Sequence, residues 1–175
     1  MTAVPELTYS AVGATRSPDL LSHPPTGFRP MVRAVPIGSG ENLFTRAADA
    51  TMRFGIQRRS GLTATRGEGL ADGKSPLKAG DTAVLRLGAV RIPVRIVYVI
   101  DEARRRGFGY GTLRGHPESG EEAFVVEWRD DDSVWLEIRA FSRPAHPLLW
   151  PGYPLLRLFQ EIYTRRYLRA LTTAD

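Results

Sequence analysis

The chain has no cysteine among its 175 residues. That excludes disulfides, thiolate metal sites and a cysteine nucleophile, and it agrees with a reducing compartment. Histidine is scarce. His23, His116 and His146 lie far apart and each neighbours a proline, so no pair has the spacing of helical metal ligands. No metal site and no cofactor are expected. No apolar run approaches the length that spans a bilayer. Residues 1–10 lack a basic start and an apolar core, so a signal peptide is not expected and a cytoplasmic location is. Internal repeats, low-complexity tracts and a dividing linker are all missing.

What is present is a soluble, globular composition, with 42% apolar and 25% charged residues. The length suits one domain with a sizeable core, spanning residues 1–175. Residues 1–30, rich in proline but holding Leu7, Tyr9, Leu20 and Phe28, read as an arm packed on that domain. The formal net charge is +5 and the pI about 10.0. Such an excess admits a nucleic-acid or anionic-lipid surface. The arginines are scattered, however, and their clusters (Arg58 and Arg59, Arg104 to Arg106, Arg165 and Arg166) form no extended basic run. Nucleic acid is therefore not the expected partner.

Residues 105–144 carry the densest pattern. Phe108, Tyr110 and Thr112 alternate with Gly109, Gly111 and Leu113, and side chains two apart share one face of a strand. The glycines leave the other face bare for a close approach or a bend. Residues 114–120 read as a loop from Gly115, Pro117, Ser119 and Gly120. Phe124, Val126 and Trp128 then alternate with Ala123, Val125 and Glu127. After three aspartates, Val134, Leu136 and Ile138 alternate with Trp135, Glu137 and Arg139. This predicts an antiparallel hairpin with one apolar face and one solvated face bearing Glu127, Glu137 and Arg139.

Around it, residues 31–35 predict a first strand. Residues 41–54 predict a helix, capped by Ser39, ended by Gly55 and apolar along Leu43, Ala47, Ala50 and Phe54. A short strand is expected near residues 62–65, then a long loop. Residues 82–87 and 92–100 predict a second hairpin. Residues 155–171 hold no proline or glycine and predict a long helix whose buried face includes Leu155, Phe159 and Ile162. The order is that of an α+β helix-grip fold, in which a curved antiparallel sheet wraps a long C-terminal helix and can leave a cavity between them.

The segments LTYSAVGATR, YVIDEARRRGFGYGTLRGHPESGEEAFVVEW, AFSRP and RRYLRAL resemble uncharacterised protein family 0548. The likeness covers most of the chain, and YGTLRGHPESGEEAF is its most specific part. It implies a place among START-like helix-grip proteins, beside lipid-transfer domains, birch-pollen allergens and polyketide cyclases. It implies no established activity and carries over no catalytic residue.

The expected function is binding of an apolar or amphipathic small molecule between the sheet and the C-terminal helix. Phe124, Trp128, Ile138 and Phe159 are the expected apolar lining. Tyr110 and Arg166 are the expected polar groups, Arg166 favouring a carboxylate or phosphate end. A cyclase or hydrolase in the same cavity, using His116, Glu122 or Arg166, is the alternative, and a basic interaction module a third. His116, Glu118, Glu121 and Glu122 read as an exposed structural turn rather than a catalytic group. Glu122 is placed to pair with Arg114, Tyr9 and Arg16 to pin the arm to the sheet, and Arg143 to hold a carboxylate.

Overall fold

The computed structural model describes residues 5–67, 75–146 and 152–172. After a 3-10 turn (Ala14–Arg16) come β1 (Arg29–Ser39), α1 (Glu41–Thr51), α2 (Gly55–Arg59) and β2 (Thr63–Arg66). Then follow β3 (Thr82–Leu87), β4 (Val90–Glu102), β5 (Arg105–Thr112), β6 (Glu118–Trp128), β7 (Ser133–Pro144) and α3 (Tyr153–Arg169). The strands form one antiparallel sheet in the order β1-β7-β6-β5-β4-β3-β2. β3 to β7 are successive neighbours. The pair α1 and α2 carries the chain from one edge strand, β1, to the other, β2. With α3 against its concave side, this curved sheet is a helix-grip fold of the α+β class. Among the described residues no helix is long and apolar enough to cross a membrane.

The period-two pattern seats the core as expected. Phe108, Phe124, Val126, Leu136 and Ile138 are buried on the inner face with Val94 and Ile96 of β4. Phe44, Ala47 and Ala48 of α1, Ile56 of α2 and Tyr167 of α3 close over them. The expected helix 41–54 is two helices. Phe54 takes a left-handed conformation (φ 60°) and Gly55 opens α2 instead of ending α1. Gly40, not Ser39, caps α1, and no side chain bonds the cap.

The outer face is solvated only in part, and here the expectation is corrected for Arg139, whose side chain is 12% exposed against 40% for Glu127 and 26% for Glu137. The arm lies on this face and is tied at its centre by Glu121 of β6, which is 2% exposed. One carboxylate oxygen accepts the Tyr9 hydroxyl at 2.6 Å and the Gly13 N–H at 2.7 Å. The other accepts the Thr15 N–H at 3.0 Å and the Thr15 hydroxyl. The Tyr98 hydroxyl donates to Thr15 Oγ1 at 2.7 Å, and the Arg16 guanidinium lies 4.6 Å from the centre of the Tyr98 ring. Arg139 donates to the Thr15 carbonyl at 2.7 Å and to the Ser17 carbonyl. So Arg139 is under the arm, where water was expected. Tyr9 and Arg16 do pin the arm.

Two glycines make room for this. A Cβ on Gly109 would lie 2.5 Å from the Tyr98 ring, and one on Gly111 would strike the Tyr9 hydroxyl. Gly111 pairs with Glu121 across β5 and β6, so the bare backbone and the carboxylate form one seat.

Three further expectations are corrected. Residues 118–120 open β6 and are not loop. Arg143 lies over the Phe28 ring at 4.5 Å instead of holding a carboxylate. On α3, Leu155, Phe159 and Ile162 are 63%, 48% and 42% exposed, while Thr164, Tyr167, Ala170 and Leu171 are buried. The helix therefore forms where predicted but turns another face to the sheet. The physical reason is the surface it meets. β6 and β7 offer Glu118 and Ser142 beneath its first half, and that polar surface takes Gln160 in place of an apolar side chain.

Glu121→Ala removes the acceptor for four donors, some of them buried with it. The expected loss is about 3 kcal/mol or more in denaturant unfolding, since each hydrogen bond to a charged group contributes about 1.5–3 kcal/mol. Limited proteolysis should then cut between residues 5 and 28 faster than in the parent chain. An unchanged unfolding midpoint would show that the arm is held by its apolar contacts alone.

Candidate functional site

The inner face of β6 carries two carboxyls in an otherwise apolar row. Glu118 and Glu122 share strand parity with Phe124 and Val126, which puts all four on the side of α3. Both glutamates are partly buried. The Tyr110 hydroxyl, on neighbouring β5, donates to Glu122 at 2.5 Å. From α3 the Gln160 side-chain amide donates to Glu118 and, at 2.9 Å, to Ser142 of β7. The expected pair of Glu122 with Arg114 does not form. Arg114 is exposed, and Glu122 turns to Tyr110.

Aromatic rings wall these groups. Phe108, Tyr110 and Phe124 lie within 5.7–6.2 Å of one another by ring centres. Tyr167 meets Phe124 edge-on at 5.3 Å. Tyr163 continues the path from Tyr167 and stacks on the half-exposed Phe159 at 6.1 Å. A ladder of rings thus runs from the closed core past the two carboxyls to the surface.

Burial sets the electrostatics. Loss of solvent pushes Glu118 up to about 7, against the hydrogen bonds from Gln160 and Ser142, which favour its charged form. Glu122 is likewise pushed up to about 7 by burial, with its Tyr110 bond opposing the shift and the charge of Glu118 adding to it. Tyr110 and Tyr167 are raised well above the usual tyrosine value by burial first and by the charge of Glu122 next. At neutral pH the site therefore holds two carboxyls poised between neutral and charged, two neutral phenols and one amide. Among the described residues it includes no cation. Among the described residues no group of three or more histidines, aspartates or glutamates is placed to hold a metal ion.

The residues named from the sequence divide. Tyr110, Phe124 and Ile138 are buried on the inner face, and Tyr110 is in the site. Phe159 lies at the outer end of the ring ladder. Arg166 is exposed, its guanidinium 5.3 Å from the Tyr163 ring centre, and does not enter. Trp128 is at the far end of β6, stacked on Phe44, with the Arg104 guanidinium 4.3 Å from its ring centre. There it borders an open cleft of about 390 Å³ with Glu41, Asp101 and Arg106. A second cleft, of about 740 Å³, opens beside the turn that joins β5 to β6. Neither is bounded by Phe124, Ile138 and Phe159. His116 is not a free turn residue: its Nδ1 accepts the Glu118 N–H at 2.9 Å, and burial drives it down to about 4.

Residues 8–170 match the model of a domain of unknown function, DUF1990. The chain belongs to this family. A UPF0548 protein of Arabidopsis thaliana is 43% identical to this DUF1990 chain over 83 residues, 43% of this chain and 40% of the relative. A UPF0548 protein of Deinococcus radiodurans is 42% identical over 80 residues, 46% of this chain and 40% of the relative. The matched stretch thus spans about two-fifths of the length of these relatives. Among solved structures, the hypothetical protein jhp0584 of Helicobacter pylori aligns with a TM-score of 0.60 at 11% identity. That alignment covers 98% of the DUF1990 chain and 97% of the other, and it is a likeness of fold. The resemblance to family 0548 read from the sequence is borne out.

Sequence reasoning missed Gln160 and Ser142 and undervalued Glu118. The signal was there. Two glutamates four apart, in phase with Phe124 and Val126, put carboxyls on the apolar side of a strand. Reading residues 114–120 as loop stopped the phase from being followed back to Glu118.

The raised carboxyls give a signed prediction. Each binds its proton more tightly in the folded chain than in the unfolded one, whose carboxyls titrate near 4.5. The contribution of these two groups to stability is therefore fully present below that value and is lost as pH rises to about 7. Glu122→Gln keeps an acceptor for Tyr110 and cannot ionise. It should be stabilised relative to the parent chain by roughly 3 kcal/mol at pH 8, since Glu122 rises from 4.5 to about 7 and each pKa unit is worth about 1.4 kcal/mol, and by little at pH 4.5. Equal stability differences at the two pH values in denaturant titrations would refute the shift.

Proposed function

We propose that this protein binds a small apolar or amphipathic molecule between its sheet and α3, seated against the aromatic ladder with its polar end at Glu118 and Glu122. The observation that carries this reading is the partly exposed carboxyl pair on the inner, ring-lined face. Ligand sites combine mostly apolar walls with a few convergent polar groups that fix orientation. A strand buried for packing alone gains nothing from two desolvated carboxyls, which cost free energy unless paired. Phe124 and Ile138 serve as wall and Tyr110 as a polar contact. Phe159, with Leu155, Leu158 and Ile162, lies on the exposed stripe of α3, where an entering apolar molecule would first touch.

The charge of the site selects the polar end. Two acidic groups with no cation beside them disfavour a carboxylate or phosphate and suit a hydroxyl, an amide or an amine. The anionic end expected from Arg166 is replaced by a neutral one, because Arg166 lies outside. One observation favours a second reading. A carboxyl poised near neutrality and bonded to a phenol is what general acid–base chemistry uses, and Glu122 is such a group.

The test compares dansyl-aminoundecanoic acid with its primary amide at pH 8, followed by dansyl fluorescence. The amide should bind saturably and at least several-fold more tightly than the acid. Gln160→Trp, which fills the space over Glu118, should abolish the difference and weaken the amide. No saturable binding by either probe, or equal binding by the parent chain and Gln160→Trp, would rule the site out.

A further inference from the structure

Arg114, Gly115, His116 and Pro117, the centre of the sequence's most specific motif, take no part in the site under α3. They form the turn from β5 to β6 and one wall of the 740 Å³ cleft. The end of the β3–β4 hairpin brings Arg91 to the same cleft, and the end of β7 brings Arg143. Among the described residues three arginines and two histidines line it, and no aspartate or glutamate does.

Elsewhere on this protein arginines find carboxylates. Arg104 meets Asp130 at 3.3 Å, Arg106 meets Asp49 and Asp101 at 3.1 and 2.9 Å, and Arg165 meets Glu161 at 2.9 Å. Among the described residues, Arg91 and Arg114 have no such partner. Arg91 instead sits directly opposite Arg86 across β3 and β4, a like-charge pairing that is unfavourable until an anion joins it. His116 adds a donor of fixed direction. Its Nδ1 is occupied by the Glu118 N–H, so the neutral ring carries its proton on Nε2.

We propose that this cleft binds a phosphate group, with Arg91, Arg114 and His116 as its donors. A planar carboxylate is satisfied by one guanidinium fork. A tetrahedral phosphate takes donors from several directions, which is what arginines on two separate turns and an imidazole between them offer. Ala89, Val90, Pro117 and Ala145 leave an apolar side for the organic part of a phosphate ester. Glu118, Glu122 and α3 do not line this cleft, although His116 accepts the Glu118 N–H, and the proposal does not rest on the ligand proposed there.

The test titrates the full chain with phenyl phosphate at low ionic strength and follows backbone amides by ¹H–¹⁵N NMR. Saturable shifts should centre on Thr8, Arg91, His116 and Ser119. Arg114→Ala and Arg91→Ala should each weaken binding at least tenfold. Arg33→Ala, at an exposed arginine of β1, should change it less than twofold. A second arm measures co-sedimentation with phosphatidylcholine vesicles with and without phosphatidic acid. Binding confined to phosphatidic acid vesicles and lost in Arg114→Ala supports the same chemistry, supplied by a lipid headgroup. Binding of phenyl phosphate supports a free ester. Absence of both, or equal losses in Arg114→Ala and Arg33→Ala, overturns the proposal.

Discussion

Glu121 sits in the middle of β6 with its carboxylate turned away from α3, covered by chain more than a hundred residues earlier in the sequence. A carboxylate buried there without partners would cost several kcal/mol. Its donors all come from the arm, so the arm and the carboxylate need each other. The seat requires backbone without side chains at Gly109 and Gly111, and it requires Tyr98 and Arg139 beneath the arm. One ionic constraint thus accounts for much of the motif spread over β4, β5, β6 and the arm. It also covers the middle of the outer face of β5 and β6 with the arm.

The same strand treats its glutamates in opposite ways. Glu121 receives backbone and hydroxyl donors that close around it. Glu118 and Glu122, on the other face, receive one amide and one phenol, and burial outweighs both contacts. The result on one side is a structural anchor and on the other a pair of groups that change charge near neutrality. A protein that only needed a packed core would place valine or isoleucine at both inner positions, as β6 does at Phe124 and Val126 with large apolar groups.

The strands and the last helix were legible because alternation and helical spacing are properties of neighbouring residues. β4 to β7 and the buried Phe124 and Ile138 followed from those patterns, while the arm was read from its scattered apolar anchors. The seat of Glu121 was not legible, because its partners lie far away in sequence and no local pattern joins Tyr9 and Thr15 to β6. The facing of α3 was misread for a related reason. Spacing finds the apolar stripe through Leu155, Phe159 and Ile162, but which stripe packs is decided by the opposing surface, and that surface is polar. The break at Phe54 was hidden because Gly55 stops one helix and starts another with the same residue type.

The proposed site requires that the carboxyls under α3 be partly desolvated yet still able to titrate. Selective ¹³C labelling of glutamate side-chain carboxyls, followed by NMR from pH 3 to pH 9, reads this directly. Glu118 and Glu122 should show midpoints near 7, and Glu118→Gln should lower that of Glu122, since the neighbouring charge raises it. Midpoints of both groups in the ordinary range near 4.5, unmoved by that substitution, would contradict the account.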